Sequence, residues 1–179
     1  MKTRPIDTSD FTEVLRLNAE SVHYLSPLDG AGLAGLQRQS PLHLVLESEG
    51  QVVAFIIALE QGADYGSPNY RWFAERYARF LYVDRVVVSS GFQGRGAGAL
   101  LYRELFEYAA ESDYPIVCCE FDVQPPNPGS AAFHARFGFS EVARQTIANG
   151  AKVVSLQIAS APFRPGAAGS TAWVSDRPA

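Results

Sequence analysis

The chain has 179 residues, 47% of them hydrophobic and 19% charged, which is about one domain of ordinary globular composition. That balance excludes disorder, collagen-like repeats and coiled coil, and a net charge of -4 speaks against a surface built to neutralise nucleic-acid phosphates. The longest apolar run, Val52 to Leu59, falls far short of the ~20 residues that cross a bilayer, and the N-terminus has no signal-peptide core, so a cytoplasmic protein without a membrane segment is expected.

In chain order, Arg4 to Ile6 reads as a short strand, and Asp10-Phe11-Thr12-Glu13 as a capping box that opens a helix with Val14, Leu15, Leu17, Asn18 and Val22 on one face. Asp29 is an N-cap for a second helix ending near Gln39. Leu42 to Glu47 and Gln51 to Leu59 form a hairpin around Ser48-Glu49-Gly50. Residues 60 to 79 look like an insertion over a sheet edge, with an aromatic helical stretch from Tyr70 to Tyr77. Phe80 to Val88 ends in three valines, as a strand buried on both faces does. A helix follows over 98 to 111, then a strand over 116 to 123 that carries the adjacent Cys118 and Cys119 on opposite faces, where they are poorly placed to pair. Asn127-Pro128 starts a helix that Gly138 closes. Glu141 to Ile147 and Lys152 to Ile158 are the last strands, joined through a two-residue turn at Asn149-Gly150. One domain over 1-159 and a flexible tail over 160-179, rich in Ala, Gly, Pro and Ser and containing Trp173, are expected.

The informative stretch is Val86-Val87-Val88, a short loop, then Gln93-Gly94-Arg95-Gly96-Ala97-Gly98 feeding a helix. The first amides of a helix have no internal partner and lie at its positive end, and glycines allow an anion close to the backbone. A Walker loop fails, because Gly96 is followed by Ala97 and Gly98 and not by Lys and Ser or Thr. A dinucleotide fingerprint is matched nominally by Gly94, Gly96 and Ala99, yet antiparallel strands lie upstream where that fingerprint opens a parallel sheet. A purely structural glycine turn is the remaining option.

This block resembles the pyrophosphate-binding motif of the GNAT superfamily of N-acetyltransferases (Gln or Arg, two residues, Gly, one residue, Gly or Ala). Asn127 followed by Ala131 to Phe139 is similar to that family's later helix, which starts with Asn and ends in Gly-Phe. The resemblance covers residues 3 to 158 and implies an α+β GNAT fold: a mixed, mostly antiparallel central sheet with splayed central strands and helices on both faces. It implies acetyl-CoA as co-substrate and no metal. Backbone amides of Gln93, Gly94, Arg95, Gly96, Ala97 and Gly98 would hold the pyrophosphate, and those of Val86, Val87 and Val88 the pantetheine arm and thioester carbonyl. Asn127, Ser130, Phe133 and His134 of the next helix would complete the cofactor site.

Acetyl transfer to an amine needs a base, and often an acid for the departing thiolate. His134 stands where many family members carry a Tyr, so it is a candidate acid, with a packing or cofactor-contact role as the alternative. Glu120 is the first candidate base, Asp122 lies two residues on along the same face, and Asp84 is third; each also reads as a satisfied structural carboxylate, Asp84 beside Arg85 or Arg71. Tyr65, Tyr70, Trp72, Phe73 and Tyr82 either wall an acceptor pocket or form an aromatic core beneath the insertion. The expected activity is acetylation of a primary amine on a small molecule. The alternatives are a protein N-terminal or lysine acetyltransferase and a non-catalytic acyl-CoA-binding module; a homodimer is left open.

Overall fold

Every strand among the described residues finds a place in one sheet. The computed structural model describes residues 1–23 and 25–161, and in it β1 (Lys2–Pro5), β2 (Leu42–Ser48), β3 (Gln51–Glu60), β4 (Leu81–Val88), β5 (Ile116–Gln124), β6 (Ser140–Ile147) and β7 (Lys152–Ser160) pair in the order β1-β2-β3-β4-β5-β7-β6. Only β4 and β5 run parallel. Helices α1 (Phe11–Glu20), α2 (Gly30–Gln39) and α3 (Pro68–Ala74) cover one face, and α4 (Ala97–Glu111) covers the other. The helix α5 (Pro128–Ala135) follows β5.

β3 shows why the sheet needs two covers: all eight residues from Val52 to Leu59 are buried, and from Ala54 to Leu59 alternate ones enter opposite cores. Leu101, Leu105, Phe106 and Ala109 of α4 pack on Ala54, Ile56 and Leu81, whereas Val14, Leu17, Leu33 and Leu36 of α1 and α2 pack on Phe55, Ile57 and Leu59. The β2–β3 hairpin turns on Glu49 and Gly50 alone, with φ of 53° and 78°, the doubly left-handed turn whose twist suits flanking strands.

Several local expectations change. The Asp10 side chain does not cap α1; Asp7 caps a 3-10 turn at Thr8–Asp10, and the Asp10 carboxylate takes the Asp7 amide at 2.8 Å and the two terminal guanidinium nitrogens of Arg4 at 2.6 and 2.8 Å. A bidentate arginine outcompetes a helix amide. The β6–β7 connection is not a two-residue turn: pairing stops at Ile147↔Lys152, which leaves 148–151 as a four-residue loop with a 3-10 turn. The insertion lies over a face of the sheet, since β4 is its fourth strand, and there α3 buries Tyr70 and Phe73 against Phe80 and Tyr82 at ring separations of 5.5 to 6.4 Å. β7 runs to Ser160, and the Ala161 amide donates to the Pro115 carbonyl. The rest of the expected tail, with Trp173, lies outside the described residues.

β4 and β5 pair only at Leu81↔Val117 and Tyr82↔Cys118 and then splay apart. A register shift on each flank of the gap, between Ile57 and Ala58 and between Asp122 and Gln124, bends the two strands locally. No helix among the described residues is long and apolar enough to cross a membrane.

Candidate active site

The splay opens a cleft of about 1200 Å³. One wall is backbone. The Ser89 amide donates to the Val53 carbonyl at 2.9 Å, so Val87 sits in a directly bonded pair with Phe55, and antiparallel alternation turns the peptide groups of Val86 and Val88 toward the gap. The Val88 carbonyl there is met by the Gln93 side-chain amide at 3.1 Å.

At the end of β4 the glycine turn delivers α4. Gly94 and Gly96 take φ of 72° and 85°, a left-handed conformation that L side chains resist, and Gly96 is the N-cap. The amides after it have no partner inside the helix and open on the cleft. Gly98 meets a different need: a Cβ there would lie 3.2 and 3.3 Å from the Phe133 ring, so the missing side chain lets α5 close on α4. α5 is capped by Asn127, whose Oδ1 accepts from the Ser130 amide at 3.0 Å. Of the residues expected to hold a cofactor, all line the cleft except Arg95, whose guanidinium lies over the Phe92 ring.

His134 is buried rather than presented. Its Nδ1 lies 2.8 Å from the Ser130 carbonyl, which can only accept, so Nδ1 carries the hydrogen and Nε2 accepts from the Tyr102 hydroxyl at 2.7 Å. The ring stacks on Phe121 and meets Tyr102, Phe133 and Phe139 edge-on. Burial pushes its pKa below the ordinary histidine value. An imidazole depressed in this way stabilises the fold above the unfolded pKa of ~6.5 and loses that contribution as pH falls below it. In His134→Gln, the drop in Tm between pH 6.5 and 5 is therefore expected to flatten relative to wild type; Tm curves that stay parallel would refute the neutral assignment.

The three candidate carboxylates differ sharply in their partners. Asp84 is buried with Arg85, Nε at 2.6 Å, and also accepts a short hydrogen bond from Tyr65; Arg85 Nη1 in turn donates to Asn18 at 2.8 Å. Asp122 is paired with Lys152 Nζ at 3.0 Å. Glu120 has no cation paired with it among the described residues. Its Oε1 accepts from Asn69 Nδ2 at 2.8 Å and from the Tyr82 hydroxyl at 3.0 Å, while Oε2 is shut off from solvent with no partner. Burial pushes Glu120 up to about 7, against the pull of these two hydrogen bonds.

Tyr65 and Tyr82 line the cleft beside Glu120, but Tyr70, Trp72 and Phe73 do not. Tyr70 is tied into the insertion, its hydroxyl donating to the Glu60 carbonyl at 2.6 Å and accepting from the Ala63 amide, and Phe73 is fully buried, so these rings form the aromatic core. Sequence reading misses Asn69, Tyr102 and Lys152, which also line the cleft. Asn69 had a local signal, since Ser67-Pro68 starts α3 and fixes the first turn that carries it. Both cysteines are buried and free, and burial pushes their pKa values up; Cys119 reaches the cleft as an inert wall. No group of three His, Cys, Asp or Glu able to hold a metal occurs among the described residues.

Comparison with known proteins agrees with this geometry. A curated phosphinothricin N-acetyltransferase of Streptomyces coelicolor is 44% identical over 57 residues, which is 32% of this chain and 32% of that protein, so the match spans about a third of the relative's length. Among solved structures, Ard1 of Thermoplasma volcanium superposes with a TM-score of 0.74 at 17% identity over 89% of this chain and 97% of that one. The Salmonella typhimurium protein yncA, solved with its cofactor acetyl-CoA, gives 0.68 at 18% identity over 96% and 98%. A family model described as the acetyltransferase (GNAT) family matches residues 9–139, so the chain, with its splayed sheet and glycine-fed helix, belongs to that family.

Proposed function

We propose that the protein is an acetyl-CoA-dependent N-acetyltransferase that acetylates the primary amine of a small molecule by direct attack, with Glu120 as general base. The observation that carries this reading is the Glu120 carboxylate: one oxygen fixed by two donors, the other buried and unpartnered, at the cleft beside strand backbone that has no strand to pair with. Acetyl-CoA, when bound, supplies an acetyl group activated as a thioester. The residues present fit it: amides of Gln93, Gly94, Gly96, Ala97 and Gly98 for the pyrophosphate, and the gap-facing groups of Val86 and Val88 for the pantetheine arm and the thioester carbonyl. Arg95 lies outside the cleft lining, its amide donating to the Phe92 carbonyl at 3.4 Å and its guanidinium over the Phe92 ring.

Glu120 takes the proton of the incoming ammonium, which Asp84 and Asp122 are less able to do because each is already held by a cation. His134 is assigned to holding Tyr102 rather than to proton donation, because both its ring nitrogens are engaged. The acceptor end, walled by Tyr65, Tyr82, Ser67 and Asn69, favours a compact amine. The name of the Streptomyces relative supports a small acceptor, and the protein acetyltransferases among the structural neighbours keep a protein N-terminus as the competing reading.

Two measurements test this. Acetyl-CoA at a hundredfold excess over its Kd is expected to raise Tm by roughly 5–10 °C, and Gly96→Val, which forces a branched side chain into a φ of 85°, is expected to abolish the rise. Thiol release is then measured across phosphinothricin, amino acids, polyamines, aminoglycosides and peptides. Turnover confined to peptides would overturn the small-molecule assignment, and no shift with acetyl-CoA would overturn the whole reading.

A further inference from the structure

Glu120 presents two unlike oxygens, and the residue that makes them unlike comes from the insertion. Asn69 stands in the first turn of α3, behind the Ser67 cap and Pro68, and is 5% exposed. Its amide is held at both ends: Oδ1 accepts from Gln145 Nε2 of β6 at 3.3 Å, so its NH2 group points at Glu120 Oε1, 2.8 Å away. The link thus runs from the last hairpin, across the insertion, to a carboxylate on β5.

We propose that Asn69 is a positioning residue for Glu120: by occupying Oε1 it leaves Oε2 as the oxygen without a donor, and by donating to the carboxylate it favours the ionised form of Glu120. The proposal rests on Glu120 being the base. The titratable and charged groups around it are Tyr82, Asp84 and Arg85 of β4, Tyr65 before α3, Asp122 and Cys119 of β5, Lys152 of β7 and Tyr102 of α4. Arg85 and Lys152 offset the charges of Asp84 and Asp122. Tyr82 donates to the same oxygen, but from a hydroxyl on the neighbouring strand that also packs in the aromatic core. Asn69 is therefore a neutral donor whose removal changes Glu120 without adding or removing a charge nearby.

The test is a titration of the full chain without ligand, carrying carbon-13 at the glutamate carboxyls, with the Glu120 signal assigned by its loss in Glu120→Gln. In wild type the midpoint is expected near 7. In Asn69→Leu it is expected to rise by roughly one pH unit or more, the size of a lost hydrogen bond to a charged group. A wild-type midpoint near 7 that does not move in Asn69→Leu would overturn the positioning role and leave the base in place. A wild-type midpoint at the ordinary glutamate value would overturn both. Should Asn69→Leu fail to fold, Gln145→Leu reads the same link from its other end, with a smaller rise expected; no movement there would equally overturn the proposal.

Discussion

Glu120→Gln is expected to lower kcat/KM at pH 7 by about 10² to 10⁴, the range that a positioned general base contributes. The amide keeps the shape of the side chain and can still meet Asn69 and Tyr82, so Tm and acetyl-CoA binding should change little while the proton acceptor is gone. The pH profile carries the sharper signature. Burial holds the Glu120 carboxyl protonated up to about 7, so wild-type kcat/KM should climb through that value and level off as the ionised form becomes complete. The variant should lose that limb. Asp122→Asn, measured in parallel, should leave the limb near 7; if it instead removes the limb and Glu120→Gln retains activity within about fivefold, the base is Asp122.

The largest effect on stability is expected at Asp84. Removing its carboxylate in Asp84→Ala strands the Arg85 guanidinium, a buried charge left with the neutral Asn18 and Tyr65 as polar partners, and takes away the acceptor of the Tyr65 hydroxyl. Breaking a buried pair from one side costs roughly 3–5 kcal/mol, which for a chain of this size lowers Tm by on the order of 10 °C. The double variant Asp84→Ala/Arg85→Met removes the stranded charge as well and should recover much of that loss. If single and double variants melt together, the pair is not the source of the cost. Thermal denaturation at pH 7 without ligand decides it. Both positions line the cleft, so activity alone would not separate stability from chemistry.

How far the sequence led depends on how local each feature is. The glycine turn and the Asn127 cap are encoded within a few residues, as left-handed glycines and as an Asn-Pro helix start, and the structure has both at the expected positions. The choice among Glu120, Asp122 and Asp84 was not readable, because it rests on partners far away in the chain: Lys152 lies 30 residues from Asp122, and Asn69 lies 51 from Glu120. Pleating alone puts Glu120 and Asp122 on one face, and only the third dimension shows that one of them already has a cation. The aromatic excess between Tyr65 and Tyr82 divides in the same way. A ring in α3 faces core or cleft according to how that helix lies on the sheet, and the insertion lies across β4, so Tyr70 and Phe73 point down while Tyr65 and Tyr82 edge the opening. His134 resembled a free acid by position, yet the Ser130 carbonyl one turn earlier fixes its tautomer.

The brief contact between β4 and β5 has a mechanical consequence. With pairing limited to Leu81↔Val117 and Tyr82↔Cys118, the sheet is two plates, one of four strands and one of three, joined along a seam two rungs long. Hydrogen bonds do little to hold such plates at a fixed angle. Side chains must do it, and one cluster that spans the seam joins Ile56 and Leu81 of one plate to Val117, Cys119 and Ala159 of the other through Leu101, Tyr102 and Leu105 of α4. The width of the opening is thus a packing quantity, set by helix residues that lie largely behind it. A molecule that lies between the plates completes a sheet that the chain leaves unfinished, so its binding and the rigidity of the fold rise together.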